Sequence, residues 1–126
     1  MVRIHPAGLI LNERSEEQVV LLREEDGQRQ LSFETGTCEG LALEALISGR
    51  PRPGPTPHEL FLRALTALDA LLTRVEISSS GPRLAATLLI QAGKERRELE
   101  ARPSDALALA LLAGAPMFAS EELLRA

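Results

Sequence analysis

The sequence contains few aromatic residues and a single cysteine. It has no tryptophan or tyrosine and only three phenylalanines among 126 residues. Stacking of nucleic-acid bases on aromatic side chains is therefore excluded as a major binding mode. The single cysteine, Cys38, excludes an internal disulfide and a cysteine-based zinc site, and it fits a reducing compartment. We expect this thiol to be buried or half-buried and inert.

Long apolar runs and common motifs are missing as well. No run approaches the roughly 20 residues of a membrane-spanning helix, and the first residues, Met-Val-Arg-Ile-His-Pro, show no signal-peptide pattern. We therefore predict a cytoplasmic protein without a membrane span. The P-loop, the dinucleotide fingerprint, His-Glu-x-x-His and Gly-x-Ser-x-Gly are all absent.

The chain is acidic, with a net charge of −4. Thirteen of its fourteen basic residues are arginine. Strong nonspecific binding of nucleic acid needs clustered basic charge, and an acidic chain argues against it. Arginine suits bidentate contacts with phosphate. A GC-rich genome that favours arginine codons explains the same bias.

The order of predicted elements indicates an α+β fold. A chain of this length corresponds to one domain, residues 1–126, with a core of its own. Strands are predicted at 2–11, 18–24, 29–35, 74–79, 83–91, 95–101 and 116–119, and helices at 38–48, 58–72 and 104–113, with a terminal helix from Ser120. The order βββ-αα-βββ-α-β-α favours a mixed, mostly antiparallel sheet packed with three to four helices.

Several segments carry more specific expectations. The first strand should be bent or at an edge, because Pro6 cannot donate to a central ladder. The run from Val19 to Leu22 predicts burial on both faces. The prolines of residues 50–57 predict a stiff loop. The helix at 58–72 shows an apolar stripe made of Phe61, Ala64, Leu65, Leu68 and Leu72.

The most informative segment is residues 100–118, EARPSDALALALLAGAPMF. Its polar start precedes an almost wholly apolar run, which predicts a buried helix. Ser104 or Asp105 can cap this helix, and Pro103 is tolerated where it begins. Gly114 fits the left-handed position past its end, where Pro116 prevents continuation.

This segment resembles the signature of the bifunctional nuclease family, an acidic residue followed by Ala-Arg-Pro-Ser-Asp-Ala, an apolar run and Gly-Ala-Pro. Residues 7–46 are similar to that family's N-terminal half, and residues 52–65, RPGPTPHELFLRAL, resemble its Arg-Pro-x-Thr-His-Asp-Leu segment. The resemblance covers essentially the whole chain in the right order. It implies hydrolysis of RNA and DNA, assisted by a divalent metal such as Mg²⁺ or Mn²⁺.

The resemblance directs attention to five residues. As a hypothesis of mechanism, Glu39 and Asp105 are catalytic carboxylates that hold the metal, since oxygen ligands suit such ions. Arg102, with Ser104 at the helix start, would bind the substrate phosphate. His58 would be catalytic by moving a proton.

A structural interpretation of the same residues stays open. Ser104 caps, acidic residues in a first turn favour the helix dipole, and Arg102 pairs with a carboxylate such as Glu100. His58 is then a polar residue at a helix start. The chain also departs from the family, with Glu-Gly at 39–40 for Glu-Ala, and with an inserted residue in Thr-Pro-His-Glu at 56–59.

The sequence therefore predicts a nuclease with nucleic acid as its partner. The alternative is a non-catalytic binding or regulatory module that uses the same cleft for an anion or a partner protein. A structural role in a larger assembly comes third. A homodimer is expected, because symmetric dimers are the commonest oligomers.

Overall fold

The structure, a computed structural model, describes residues 1–12, 17–49 and 55–125 of the chain. Within these ranges the strands are β1 (Val2–Asn12), β2 (Glu17–Glu24), β3 (Gln30–Thr35), β4 (Ala70–Ser80), β5 (Arg83–Ala92), β6 (Glu95–Ala101) and β7 (Met117–Ala119). The helices are α1 (Thr37–Ser48), α2 (Pro57–Ala67) and α3 (Pro103–Ala113), with a 3₁₀ turn at Glu121–Leu123.

All seven strands form one sheet in the order β3-β2-β1-β7-β4-β5-β6. Neighbouring strands are antiparallel except β7 and β4, which run parallel. Helix α1 packs on β1 and β2, α3 packs on β4 and β5, and α2 packs on β4. The predicted α+β fold and the predicted order of elements are confirmed.

One expectation about the first strands is confirmed and another is wrong. The strand β1 lies between β2 and β7, but it pairs with β7 only from Val2 to Ile4. From Pro6 onward it pairs with β2 alone among the described strands, and the register shifts between Pro6 and Gly8, as expected for a strand that is bent or at an edge where the proline lies. In β2, Val20 is fully buried but Val19 is only half-buried, because the helices pack on the opposite face.

The helix α3 is the buried element that its apolar run predicts. Five consecutive residues from Ala106 to Ala110 are buried, and Gly114 ends the helix with a φ of 68°. The expected capping is wrong. The N-cap residue is Arg102, which adopts an extended backbone, and no side chain caps the helix. The first turn of α3 therefore presents free backbone N–H groups.

Shortening a buried leucine of α3 tests the importance of this packing. Leu107 is fully buried, and Leu107→Ala leaves a cavity where the helix meets the sheet. We expect a loss of about 2–5 kcal/mol in the free energy of unfolding, measured with urea. Leu60→Ala is the control, because Leu60 is 63% exposed. Equal losses in the two variants would contradict the packing.

The second helix and the C-terminal segment differ from prediction. Helix α2 ends at Ala67 rather than at residue 72, and Leu72 is buried from strand β4. The chain leaves the helix through Asp69, whose φ is 57°. In the predicted stripe, Phe61 and Leu65 pack against the core, whereas Leu68 is exposed. Leu68 and Leu72 are four residues apart, a spacing that fits one face of a helix, and this is why the helix was predicted to continue to residue 72. The same Leu72 also fits the inner face of a strand.

The predicted terminal helix is a single 3₁₀ turn, too short to count as a packed helix. Most of the predicted loop at 50–57 lies outside the described residues, and Pro57 belongs to α2. In the ranges that the structure describes, none of the helices has the length and apolar character needed to cross a membrane.

Candidate functional site

The three helices begin close to one another, and their first turns form one cluster of polar side chains. Glu39 lies in the first turn of α1, His58 in that of α2 and Asp105 in that of α3, while Arg102 is the N-cap residue of α3. The N-terminus of a helix carries partial positive charge and unsatisfied N–H groups. Three such ends and one arginine place positive charge around the carboxylates of Glu39 and Asp105.

Hydrogen bonds connect the four side chains in the order Glu39, Arg102, Asp105, His58. The Nε of Arg102 donates to Asp105 Oδ2 at 2.8 Å, and its Nη2 donates to Oδ1 at 3.2 Å. Its Nη1 reaches Glu39 Oε1 at 3.5 Å. His58 Nε2 lies 2.9 Å from Asp105 Oδ1. The sequence-predicted residues therefore meet in space.

The orientation of His58 is set by the capping of α2. Thr56 is the N-cap residue, and its Oγ1 accepts a hydrogen bond from the backbone N–H of Glu59 at 3.2 Å. The Glu59 carboxylate in turn accepts from the backbone N–H of Thr56 at 3.4 Å, which completes a capping box. Pro57 fixes the first helical residue. His58 follows it and is directed toward Asp105 of α3.

The electrostatics of the cluster keep Asp105 ionised. Hydrogen bonds from the Arg102 guanidinium lower the pKa of Asp105 most, the bond from His58 lowers it further, and partial burial opposes both. The same carboxylate raises the pKa of Arg102 above its ordinary value. Because Nε2 of His58 faces an ionised carboxylate, that nitrogen carries a proton in the neutral ring and leaves Nδ1 as the acceptor.

A lowered pKa makes the stabilisation by Asp105 depend on pH. The contribution is complete above the unfolded-state pKa, near 3.8, and is lost as the pH falls through the lower folded-state pKa. We expect the destabilisation by Asp105→Asn to be constant at and above about pH 5 and to shrink below about pH 3. Urea unfolding at each pH is measured in a His58→Gln background, so that the imidazole does not contribute. A destabilisation that is the same at every pH would contradict this account.

The predicted metal site has no ready set of ligands in this arrangement. Both oxygens of Asp105 accept from Arg102, and Glu39 faces the same guanidinium. Over the described ranges, no group of three or more His, Cys, Asp or Glu side chains is placed to hold a metal ion. Binding of Mg²⁺ or Mn²⁺ by Glu39 and Asp105 stays a prediction.

Two hollows in the described part of the chain are lined by both Glu39 and Arg102 of the cluster. One, of about 480 Å³, lies between the starts of α1 and α2, and its largely apolar wall includes Cys38, Ala42 and Ala45. The other, of about 470 Å³, lies between α1 and α3, where Ser104 lines it. Ser104 is two residues after Arg102 and is buried. Its side chain does not cap the N-terminus of α3. The expectation of a buried thiol is wrong, because Cys38 is exposed on α1.

The departure from the family at Gly40 has a local cause. A Cβ atom at this position would lie 1.9 Å from Oε1 and 3.0 Å from Cβ of Gln18, a buried side chain of β2. The Gln18 side chain thus occupies the space that an alanine side chain would need, and an alanine at residue 40 would require Gln18 to move.

The apolar cleft wall is the part of the site that sequence reasoning missed. Cys38, Ala42 and Ala45 recur at spacings of four and three, so they lie on one face of α1. That spacing was a usable signal. The small size of these side chains, however, is equally typical of close helix packing, and only the position of α2 distinguishes the two.

Comparison with known proteins gives the family. The model of the bifunctional nuclease domain matches residues 20–126. The chain belongs to the bifunctional nuclease domain family. Two uncharacterized proteins of Mycobacterium tuberculosis, from strains CDC 1551 and H37Rv, are each 30% identical to it over 125 residues, covering 98% of this chain and 74% of theirs. The family name suggests a nuclease-like or nucleic-acid-binding function.

Proposed function

We propose that this domain hydrolyses phosphodiester bonds in RNA and DNA at the cluster of Glu39, His58, Arg102 and Asp105. The observation that carries the proposal is the hydrogen-bonded series His58–Asp105–Arg102, located where three helices begin. An oriented imidazole can act as a general base, and a nearby cation stabilises the charge of the phosphate, so the pair assists phosphodiester hydrolysis.

Arg102 is the residue that binds the phosphate. Its side chain is 64% exposed, and it lines both hollows beside the cluster. The two carboxylates hold the guanidinium in one orientation, with part of its surface open to an incoming anion. The free N–H groups at the start of α3 add further donors for phosphate oxygens.

His58 is the residue that accepts a proton. Asp105 holds Nε2–H, which leaves the lone pair of Nδ1 free to take a proton from water. The water oxygen bonds to phosphorus, the bond to the leaving oxygen breaks, and the leaving oxygen takes a proton from the imidazolium. Because water is the nucleophile, the 2′-hydroxyl is not required, and both RNA and DNA are substrates.

A second candidate is a non-catalytic binding or regulatory module that uses the same cleft for an anion or a partner protein. The double pairing of Arg102 with Glu39 and Asp105 favours it over catalysis, because a substrate phosphate must compete with two carboxylates. The net charge of −4, which repels nucleic acid, favours a partner protein. Such a module would leave RNA and DNA uncut.

Cleavage by highly purified protein tests the proposal. Labelled RNA and DNA are incubated with Mg²⁺, with Mn²⁺ and with EDTA, beside a His58→Gln preparation purified in the same way. We expect cleavage by the unaltered protein and a loss of about 10²–10⁴-fold in the variant. Equal cleavage by both preparations would contradict the proposal. Loss of cleavage in EDTA would support the metal prediction.

The predicted homodimer and cytoplasmic location stay predictions.

A further inference from the structure

We infer that the apolar cleft between α1 and the first turn of α2 holds the base of an unpaired nucleotide, so that the site acts on single-stranded nucleic acid. This inference rests on the proposed function and names its substrate class. It concerns side chains outside the polar cluster, namely Cys38, Ala42, Ala45, Leu46 and Pro57.

The cleft has the size and the lining of a pocket for a planar organic ring. Its volume is about 480 Å³, within the range of about 300–1,000 Å³ that is usual for small-ligand pockets. Small side chains of α1 form one wall, and Pro57 of α2 lies opposite. A flat base can contact such a wall through dispersion without any aromatic partner.

The cleft opens directly onto the proposed reacting groups. Arg102, Asp105, His58 and Glu39 all form part of its boundary. A phosphate on Arg102 therefore places the adjoining nucleoside at the cleft entrance. No other apolar surface needs to be invoked for that base.

The second hollow lies on the other side of the same arginine. Its lining is more polar, with Ser32, Glu34, Thr35 and Ser104, and it shares Glu39 and Arg102 with the cleft. A phosphodiester on Arg102 thus has room for a nucleoside on each side. The apolar side suits a base, and the polar side suits a sugar and its next phosphate linkage.

The requirement for an unpaired base follows from the geometry of duplexes. In a duplex the bases are stacked inside, and extruding one costs a few kcal/mol. A protein that holds duplexes compensates with clustered basic charge, whereas this chain carries a net charge of −4. A strand whose bases are already unstacked can enter the cleft without that cost.

Variants that fill the cleft test the inference. Ala42→Leu and Ala45→Leu add a bulky side chain to its wall and leave the four polar residues in place. Ala113→Leu, at the exposed far end of α3, is the matched control. The substrates are a labelled single strand, the same strand in a blunt duplex, and bis(p-nitrophenyl) phosphate, which has no base.

We expect the single strand to be cleaved at least about tenfold faster than the duplex. Each cleft variant should lower kcat/KM for the single strand about tenfold, chiefly through KM, and should lower hydrolysis of the small diester much less. Ala113→Leu should match the unaltered protein. Equal rates on both strand forms, with cleft variants that match Ala113→Leu, would overturn the inference and leave the proposed function standing.

A failure of the proposed function is recognised separately. If no substrate is cleaved, fluorescence anisotropy of the labelled single strand decides the inference. Weaker binding by Ala42→Leu and Ala45→Leu, with unchanged binding by Ala113→Leu, would support the cleft as a base site in a non-catalytic module. Binding that is absent, or equal in all four proteins, would overturn it.

Discussion

Asp105→Asn is expected to lower kcat for cleavage of a single strand by about 10²–10⁴-fold while the protein stays folded. The asparagine keeps the size of the side chain but loses the charge that holds His58 Nε2–H and pairs with Arg102. The imidazole then adopts either tautomer and loses its fixed orientation. Steady-state kinetics with circular dichroism of the same sample measure both properties.

The chain offers a closely matched control for this substitution. Asp69→Asn makes the same chemical change at an exposed residue with a φ of 57°, a conformation that asparagine tolerates. We expect its kcat to equal that of the unaltered protein. If Asp105→Asn behaved like Asp69→Asn, Asp105 would have no part in the chemistry.

Arg102→Ala is expected to lower kcat/KM by about 10²–10³-fold, the usual loss when a donor to a charged transition state is removed. The variant loses the guanidinium that pairs with Asp105, and it loses the proposed phosphate contact. Arg102→Lys keeps the charge but lacks the planar guanidinium fork that pairs with both oxygens of Asp105, so its rate should be intermediate.

Arg96→Ala serves as the control for charge, because Arg96 is an exposed arginine of the same strand that leads into Arg102. Its effect on kcat/KM should be less than about threefold, as expected for a loss of surface charge alone. An equal loss in Arg96→Ala and Arg102→Ala would mean that general charge, rather than the cluster, attracts the substrate.

The fold was largely predictable because strong local signals mark its elements. Alternating apolar residues and Gly or Asp-Gly turns defined the strands, and the apolar run after Arg102 defined α3. The predictions were wrong where a residue fits both the helix period and the strand period, as at Leu72. They were also wrong where burial depends on which face of the sheet the helices cover, as at Val19. The composition of one strand does not reveal that helices cover only one face of the sheet, so the partial exposure of Val19 could not be predicted.

The residues of the candidate site were predictable, but their arrangement was not. Arg102 meets Glu39 across 63 positions of sequence, and His58 meets Asp105 across 47. Such contacts depend on how α1, α2 and α3 pack over the sheet, and no local pattern encodes this. The arginine between the two carboxylates, which bears on the metal prediction, is visible only in three dimensions.

A double-mutant cycle of His58→Gln and Asp105→Asn tests the central claim, that the clustered side chains act as one catalytic unit. The measured quantity is kcat/KM for cleavage of a single strand by the unaltered protein, both single variants and the double variant. Residues that act as a unit give non-additive losses, so the double variant should be about as active as the worse single variant. Losses that multiply in the double variant, or cleavage that none of the substitutions alters, would contradict the account.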